Sequence, residues 1–398
     1  MKNTNNTLIA KTITGLEELL ADELKALGAQ EVQPLKRAVS FQGDTRLMYA
    51  ANLHCRTAIS ILKEVARFTF NSREEYYDNL RAVLWDELFT VDKSISINAI
   101  AHRSEIFNNT LFLAQHSKDA IVDYFRDKYQ ERPSVDIGNA HIRISIYVNA
   151  DECIVSLDSS GDPLFKRGYR KATGAAPINE VLAAGLIMLS GWDKQSTLVD
   201  PMCGSGTFSI EAAMMALDIA PSLNRKSFSF LFWNDFQPEL WKTLVDEART
   251  KVRNRMNTTI IASDLNGQTL DIARQNIMEA GLMGQIRVQR NDFFTFQPPA
   301  QTGWALFNPP YGERMKRNNL SEFYRDMGNV LKKNYAGYRA GFITSDLDAM
   351  KYIGLKPSSK TQVFNGPLDC RFLVFDLFTG THKDHVIRTR PKRPRLEL

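Results

Sequence analysis

Pro309 and Pro310 stand side by side directly after the apolar run Trp304-Ala305-Leu306-Phe307, which places a hard limit on the chain at that point. The run reads as a short buried strand. Two successive prolines fix φ twice and withdraw two backbone N–H groups, so the strand ends and only carbonyls remain as main-chain partners. Asn308 before them and Tyr311 after add an amide and an aromatic ring to a rigid acceptor carbonyl. Together these groups form a receptor for a planar group bearing an NH2, as methylation of an exocyclic nucleobase amine requires. The plainer alternative is a strand-ending turn, because Asn-Pro commonly opens loops.

A second segment points the same way. Leu198-Val199-Asp200-Pro201-Met202-Cys203-Gly204-Ser205-Gly206-Thr207-Phe208, followed by the apolar stretch 210–216, reads as a strand, a glycine-rich turn and a helix. Glycines in such a turn supply unusual φ values and let a ligand approach the backbone. The helix start offers free N–H groups and a positive dipole end to a carboxylate or phosphate. The dinucleotide fingerprint is not fulfilled, because Ser209 sits where the third small glycine would fall. Asp200 opens the turn at a strand end, where a carboxylate meets an ammonium group. The zwitterionic head of an amino acid, such as that of S-adenosylmethionine, is one candidate.

Two further strand ends extend the pattern. Ile260-Ile261-Ala262-Ser263-Asp264 ends in an acid that suits the two hydroxyls of a ribose, as in nucleotide-binding doubly wound folds. Residues 286–294 end in Asn291-Asp292-Phe293-Phe294, with Asp292 placed to accept from an adenine amine and Phe293 to pack on the ring. Each acid alone also reads as a helix cap or turn residue. Four such ends in the order of one cofactor site favour the joint reading.

On these residues the chain resembles the class I S-adenosylmethionine-dependent methyltransferases that modify a base amine. Arg167-Gly168-Tyr169-Arg170 and Ala176-Pro177-Ile178-Asn179-Glu180 are similar to the subgroup that couples this domain to a THUMP RNA-binding module. The resemblance is closest to the bacterial 23S ribosomal RNA guanine-N2 methyltransferase family, in its unfused form. It implies an α/β fold, a Rossmann-like methyltransferase domain preceded by an α+β THUMP/ferredoxin-like RNA-binding region. It also implies S-adenosyl-L-methionine as cofactor, held by Asp200, Cys203, Gly204, Gly206, Thr207, Asp264, Asp292 and Phe293. The catalytic residues are expected to be Asn308, Pro309, Pro310 and Tyr311. The expected divisions are 1–50 (ferredoxin-like), 45–160 (THUMP), 161–385 (methyltransferase) and 386–398 (basic, disordered tail). One departure is the long stretch between Asp200 and Asp264, whose aromatic segment Phe228–Trp233 reads as an inserted helical cap and leaves Asp264 the least securely placed.

The first 160 residues carry no catalytic constellation. Leu8–Ala10 and Val39–Phe41 read as strands around a helix Leu16–Leu27, and Glu74–Leu88 as a helix. Ser94–Ile100 reads as a strand, Thr110–Tyr129 as an amphipathic helix, and 141–148 with 153–157 as a hairpin. Arg103, Lys118 and Arg126 are candidate RNA contacts, with a solvated helix face as the alternative. Lys166, Arg167, Tyr169 and Arg170 are stronger candidates, because basic and aromatic groups there can meet phosphates and a stacked base. Their alternative role is to brace a domain interface.

Composition narrows the partners. Of 398 residues, 24% are charged and the net charge is +5, but His382 to Leu398 holds six basic against two acidic residues and so accounts for most of that excess. Global charge therefore does not argue for RNA binding; local patches must. Cysteines 55, 153, 203 and 370 show no Cys-x-x-Cys pairing, and His54, His102 and His116 no ligand spacing, so no metal is expected. Residues 1–7 lack the apolar core of a signal peptide and no run reaches membrane-span length, so the expected location is the cytoplasm. The expected activity is transfer of a methyl group to guanine N2 in structured RNA, ribosomal RNA first, with no membrane and no obligate protein partner. The alternatives are a transfer RNA guanine-N2 methyltransferase, a DNA adenine-N6 methyltransferase, and a non-catalytic RNA-binding ribosome-assembly factor.

Overall fold

A computed structural model describes residues 5–171, 178–310 and 317–378, and the side chains of 317–319 are not considered. The tail expected at 386–398 lies outside the described residues. The chain forms two compact units: one runs to Gly168 and takes in Asp218–Val252, and the other comprises Tyr169–Leu217 and the chain from Arg253 onward.

The first unit is built on one sheet of seven described strands, in the order β2-β3-β1-β4-β7-β6-β5. These are β1 (Asn6–Lys11), β2 (Gln30–Leu35), β3 (Ala38–Gly43), β4 (Ser60–Thr69), β5 (Ile95–His102), β6 (Ile142–Asn149) and β7 (Glu152–Asp158). Only β5 and β6 run parallel. β4 pairs with β1 on one side and β7 on the other, so it joins the two halves of the sheet. Sequence patterning misses this strand for a physical reason. A bulge between Glu64 and Ala66 shifts the inward face by one residue, and the alternation changes phase midway. β2 is missed because it is an exposed edge carrying Pro34.

The helix over Thr110–Tyr129 is as the pattern predicts, capped by Asn109. The helix expected over 74–88 is instead two, Arg73–Arg81 and Trp85–Leu88. The buried Trp85 indole donates to the Leu80 carbonyl, which takes over an acceptor that continuing helix would use.

The segment expected as a helical cap belongs to this first unit. Phe228, Phe230 and Trp233 around the 3-10 turn Ser229–Phe232, with Leu244 and Ala248 of the helix Pro238–Thr250, are buried in its core. The Phe230 ring stacks on Tyr49 at 4.4 Å and meets Trp241 at 5.1 Å. Arg225 donates to the carbonyls of Ser160, Asp162, Pro163 and Lys166, tying the insert to the chain after β7. The aromatic run is therefore read correctly as buried, but its partners lie about 180 residues upstream, at Tyr49.

The second unit has seven described strands in the order β10-β9-β8-β11-β12-β14-β13. They are β8 (Leu198–Asp200), β9 (Ile260–Asp264), β10 (Ile286–Arg290), β11 (Gly303–Phe307), β12 (Tyr338–Thr344), β13 (Ser359–Asn365) and β14 (Leu368–Asp376). β8 to β12 are parallel and β14 is antiparallel to both its neighbours. The order reverses at β8, which lies between β9 and β11, and a doubly wound sheet opens its binding crevice at the carboxyl ends beside such a reversal. This is the Rossmann-like architecture expected. No helix among the described residues is long and apolar enough to cross a membrane.

Replacing Phe230 with Ala removes a fully buried ring from the first unit's core and should cost that unit about 3–5 kcal/mol. Urea denaturation of the full chain, followed by hydrogen exchange of β1, β3 and β4 amides, checks this. An unshifted transition there would show that the insert does not support the core.

Candidate active site

β8 stops at Asp200, and the chain turns through 201–206 into the helix Thr207–Ala216. Gly204 and Gly206 have φ of +53° and +83°, values that L side chains rarely adopt. A Cβ at Gly206 would meet that of Ala273 at 3.3 Å, whereas one at Gly204 would meet nothing within 4 Å. Gly206 thus permits close helix packing, and Gly204 leaves backbone open to an approaching group. Gly206 has no side chain to cap the helix start, and Asp200 meets the Ser209 N–H from behind, so the N–H groups of Thr207 and Phe208 and the dipole remain for an anion.

The neighbouring strand ends are laced to this turn. Cys203 N–H donates to the Ser263 carbonyl at 2.9 Å, and Gly204 N–H to Asp264 Oδ2 at 3.1 Å. Asp264 Oδ1 accepts from Asn266 N–H, and the Asp264 carbonyl from Asn291 N–H. Asp292 Oδ1 accepts from Phe294 N–H at 2.9 Å, which leaves its Oδ2 without a described donor. At the end of β11, Asn308 Oδ1 is buried with no hydrogen-bond partner among the described residues. A buried carbonyl oxygen in that state loses water and gains nothing, so it marks a place where a donor is wanted.

Cys203, Gly204, Thr207, Asp264, Asp292, Phe293, Asn308 and Pro310 all line one cavity of about 400 Å³. The glycine turn, both acids and the Asn-Pro corner therefore meet across a single space. Tyr311 lies outside the described residues, and Pro309 is not among the lining residues.

Several assignments need correction. Asp200 is fully buried and does not line the cavity; it accepts from Ser209 Oγ at 3.0 Å, and its Oδ1 has no side-chain or backbone partner within hydrogen-bond distance among the described residues. Burial pushes its carboxyl well above the usual carboxylate range, and the charge of Asp264 adds to this. Its place is behind the turn, holding the helix through Ser209. Gly206 likewise shapes the turn from outside the cavity wall. Phe293 lines the cavity but its ring is buried, packed against Phe307 at 5.6 Å and Tyr335 at 5.9 Å.

The surfaces suited to a flat ring come from residues the sequence reading passes over: Leu265, Phe294 and Phe323. Leu265 is 60% exposed, an unusual state for a leucine at a strand end. Leu265 and Phe294 each lie within two residues of a cofactor acid, and that adjacency is the signal that could have marked them. Phe323, far along the chain, carries none. Ile178, Met202 and Thr269 also line the wall.

Of the four residues expected to touch RNA at the junction, only Lys166 is exposed, and it pairs with Asp162. Arg167 is 2% exposed and donates to the carbonyls of Leu164 and Arg56. Tyr169 is buried with its hydroxyl on Glu211, and Arg170 is paired with Glu180. These three brace the protein instead. Arg103 and Arg126 are exposed, and Arg126 is paired with Asp123. Lys118 is half-buried and paired with Asp119. All four cysteines are buried, and no described group of three His, Cys, Asp or Glu could hold a metal ion.

Comparison with known proteins accords with this geometry. Residues 167–373 match the family model of the RMKL-like methyltransferase domain, 7–62 that of the RlmL ferredoxin-like domain, and 70–158 that of the THUMP domain. A protein of Synechocystis sp. named "Putative RNA methyltransferase slr0064" is 36% identical over 376 residues, spanning 94% of this chain and 98% of that protein. The "Ribosomal RNA large subunit methyltransferase K/L" of Syntrophotalea carbinolica is 36% identical over 374 residues, 91% of this chain but only 52% of that longer protein. The crystal structure of "SMU.472, a putative methyltransferase complexed with SAH" superposes with a TM-score of 0.85 at 29% identity, covering 96% of this chain and all of that one. The chain belongs to the RMKL-like methyltransferase family and is an S-adenosylmethionine-dependent RNA methyltransferase carrying a THUMP domain.

Proposed function

We propose that this enzyme methylates the N2 amine of a guanine in large-subunit ribosomal RNA, and that the cavity between β8 and β11 is where it does so. The observation that carries the reading is the buried Oδ1 of Asn308, which has no partner among the described residues, on the wall that also bears Gly204, Asp264 and Asp292. A relative matched over half its length bears the name of a large-subunit ribosomal RNA methyltransferase, which supports the choice of RNA.

The residues present fit the cofactor. The uncapped helix start suits its carboxylate. Asp264 keeps lone pairs on both oxygens after accepting from Gly204 and Asn266, enough for two ribose hydroxyls. Asp292 Oδ2 remains for an adenine amine, and Leu265 and Phe294 supply apolar wall for the ring. The cofactor supplies a methyl group activated by sulfonium, so the protein's task is alignment.

A guanine amine is a weak nucleophile because its lone pair is delocalised into the ring. Hydrogen bonds from that NH2 to Asn308 Oδ1 and the Pro309 carbonyl favour a tetrahedral nitrogen and free the lone pair. The same fixed dipoles stabilise the positive charge that develops on nitrogen. The two prolines hold both acceptors rigid, so little reorganisation accompanies the reaction. Tyr311 stacks on the base, which must be unpaired or flipped out to enter. The departing proton passes to solvent.

Asn308→Ala should abolish turnover while leaving affinity for S-adenosylhomocysteine within a few-fold. Tritiated-methyl transfer and calorimetry read the two effects separately, and undiminished turnover would remove Asn308 from the mechanism. Asp264→Asn, which keeps the shape and one acceptor oxygen, should weaken cofactor binding about tenfold, the scale of one charge-assisted hydrogen bond. Unchanged affinity would move the ribose elsewhere. The substrate is settled by nucleoside mass spectrometry of ribosomal and transfer RNA from cells with and without the gene. Loss of N2-methylguanosine from large-subunit RNA is expected; its loss from transfer RNA alone would replace the substrate named here.

A further inference from the structure

The segment 169–171 crosses, as a strap, the elements that wall the cavity of the second unit. Tyr169 donates to Glu211 Oε1 at 3.0 Å on the helix Thr207–Ala216. Lys171 N–H donates to Asn276 Oδ1 at 3.2 Å, and Asn276 Nδ2 to the Ser205 carbonyl at 3.1 Å. Arg170, between them, uses its guanidinium on three acceptors. Nε meets Glu180 Oε1 at 2.7 Å, and Nη2 meets the Ile178 carbonyl at 2.9 Å and Thr207 Oγ1 at 3.0 Å. Ser205, Thr207 and Ile178 all line the cavity.

This is not a surface ion pair. The Arg170 and Glu180 side chains are only 16% and 6% exposed. Burying such a pair brings a desolvation cost that hydrophobic residues of similar size would avoid, so stability alone is a poor account of it. What the pair does have is a contact with a cavity-lining hydroxyl. Thr207 Oγ1 accepts from Arg170, so its own proton must point elsewhere, either to Ser205 Oγ at 3.4 Å or into the cavity. Thr207 is also the first residue of the uncapped helix, so its hydroxyl and the free N–H groups address the same anion.

We propose that Arg170, held by Glu180, is a positioning residue for the cofactor: it commits the Thr207 hydroxyl as a donor to the carboxylate of the amino-acid end and fixes the Ile178 wall. The inference rests on the cavity being the cofactor site. Arg170 and Glu180 together are neutral, so the effect runs through the orientation of Thr207 rather than through net charge. A lysine cannot reproduce it, because an ammonium lacks the planar fork that spans three acceptors.

The test is a double-mutant cycle in the full chain, read by calorimetric titration with S-adenosylhomocysteine. Arg170→Lys and Thr207→Val should each weaken binding about tenfold, as loss of one good hydrogen bond to a charged group does. The double variant should be no weaker than the worse single, since both remove the same interaction. For Arg170→Lys the KM for S-adenosylmethionine should rise while turnover at saturating cofactor stays within about two-fold, and RNA affinity by filter binding should not change. Affinity of Arg170→Lys within two-fold of the parent, single effects that multiply, or a loss confined to RNA binding would each overturn the proposal. Asp264→Asn separates the two readings: if it also leaves cofactor affinity unchanged, the cavity assignment itself falls. Should Arg170→Lys fail to fold, Arg170→Met, which keeps the aliphatic stem and removes every guanidinium donor, replaces it in the same cycle with the same expected non-additivity.

Discussion

The second unit depends on the lacing of three parallel strand ends at the point where strand order reverses. Gly204 N–H on Asp264, Cys203 N–H on the Ser263 carbonyl and Asn291 N–H on the Asp264 carbonyl hold the ends of β8, β9 and β10 in one plane. Each bond satisfies a backbone donor that the end of a strand would otherwise leave to water. Because Asp264 spends only part of its acceptor capacity on the protein, the group that organises the turn is also able to meet a ligand.

Burial divides the acids of this unit by role. Asp200, fully buried and short of partners, has its carboxyl driven upward and serves the protein from behind the turn. Asp264 and Asp292 reach the cavity and accept from backbone N–H groups. Glu180 is a third case: burial raises its carboxyl and the Arg170 guanidinium opposes that. The same residue type thus acts as core strut, ligand wall and ion-pair partner according to its access to water.

The two halves of the chain differed in how readable they were. In the second unit, short apolar runs ending in Asp264, Asp292 and Asn308 marked strand ends, because parallel strands buried on both faces have few polar positions except at their tips. In the first unit, β4 hid behind a bulge and β2 behind an edge, so the continuity of that sheet did not show. Basic residues misled most. Arg167 and Arg170 look like phosphate ligands in a string of letters, yet both are turned inward onto carbonyls and a carboxylate.

By itself the sequence determined the motifs whose resemblance to a known family implies the doubly wound class and the cofactor, and the corner made by Asn308 and its prolines, because these consist of residues adjacent in the chain. Turn conformation and loss of backbone donors are local properties. Only the tertiary structure decided that Asp200 stands behind the wall, that Leu265, Phe294 and Phe323 line it, and that residues 228–250 complete the core of the other unit. Those outcomes depend on which surfaces are shielded from water, and shielding is set by residues distant in the chain.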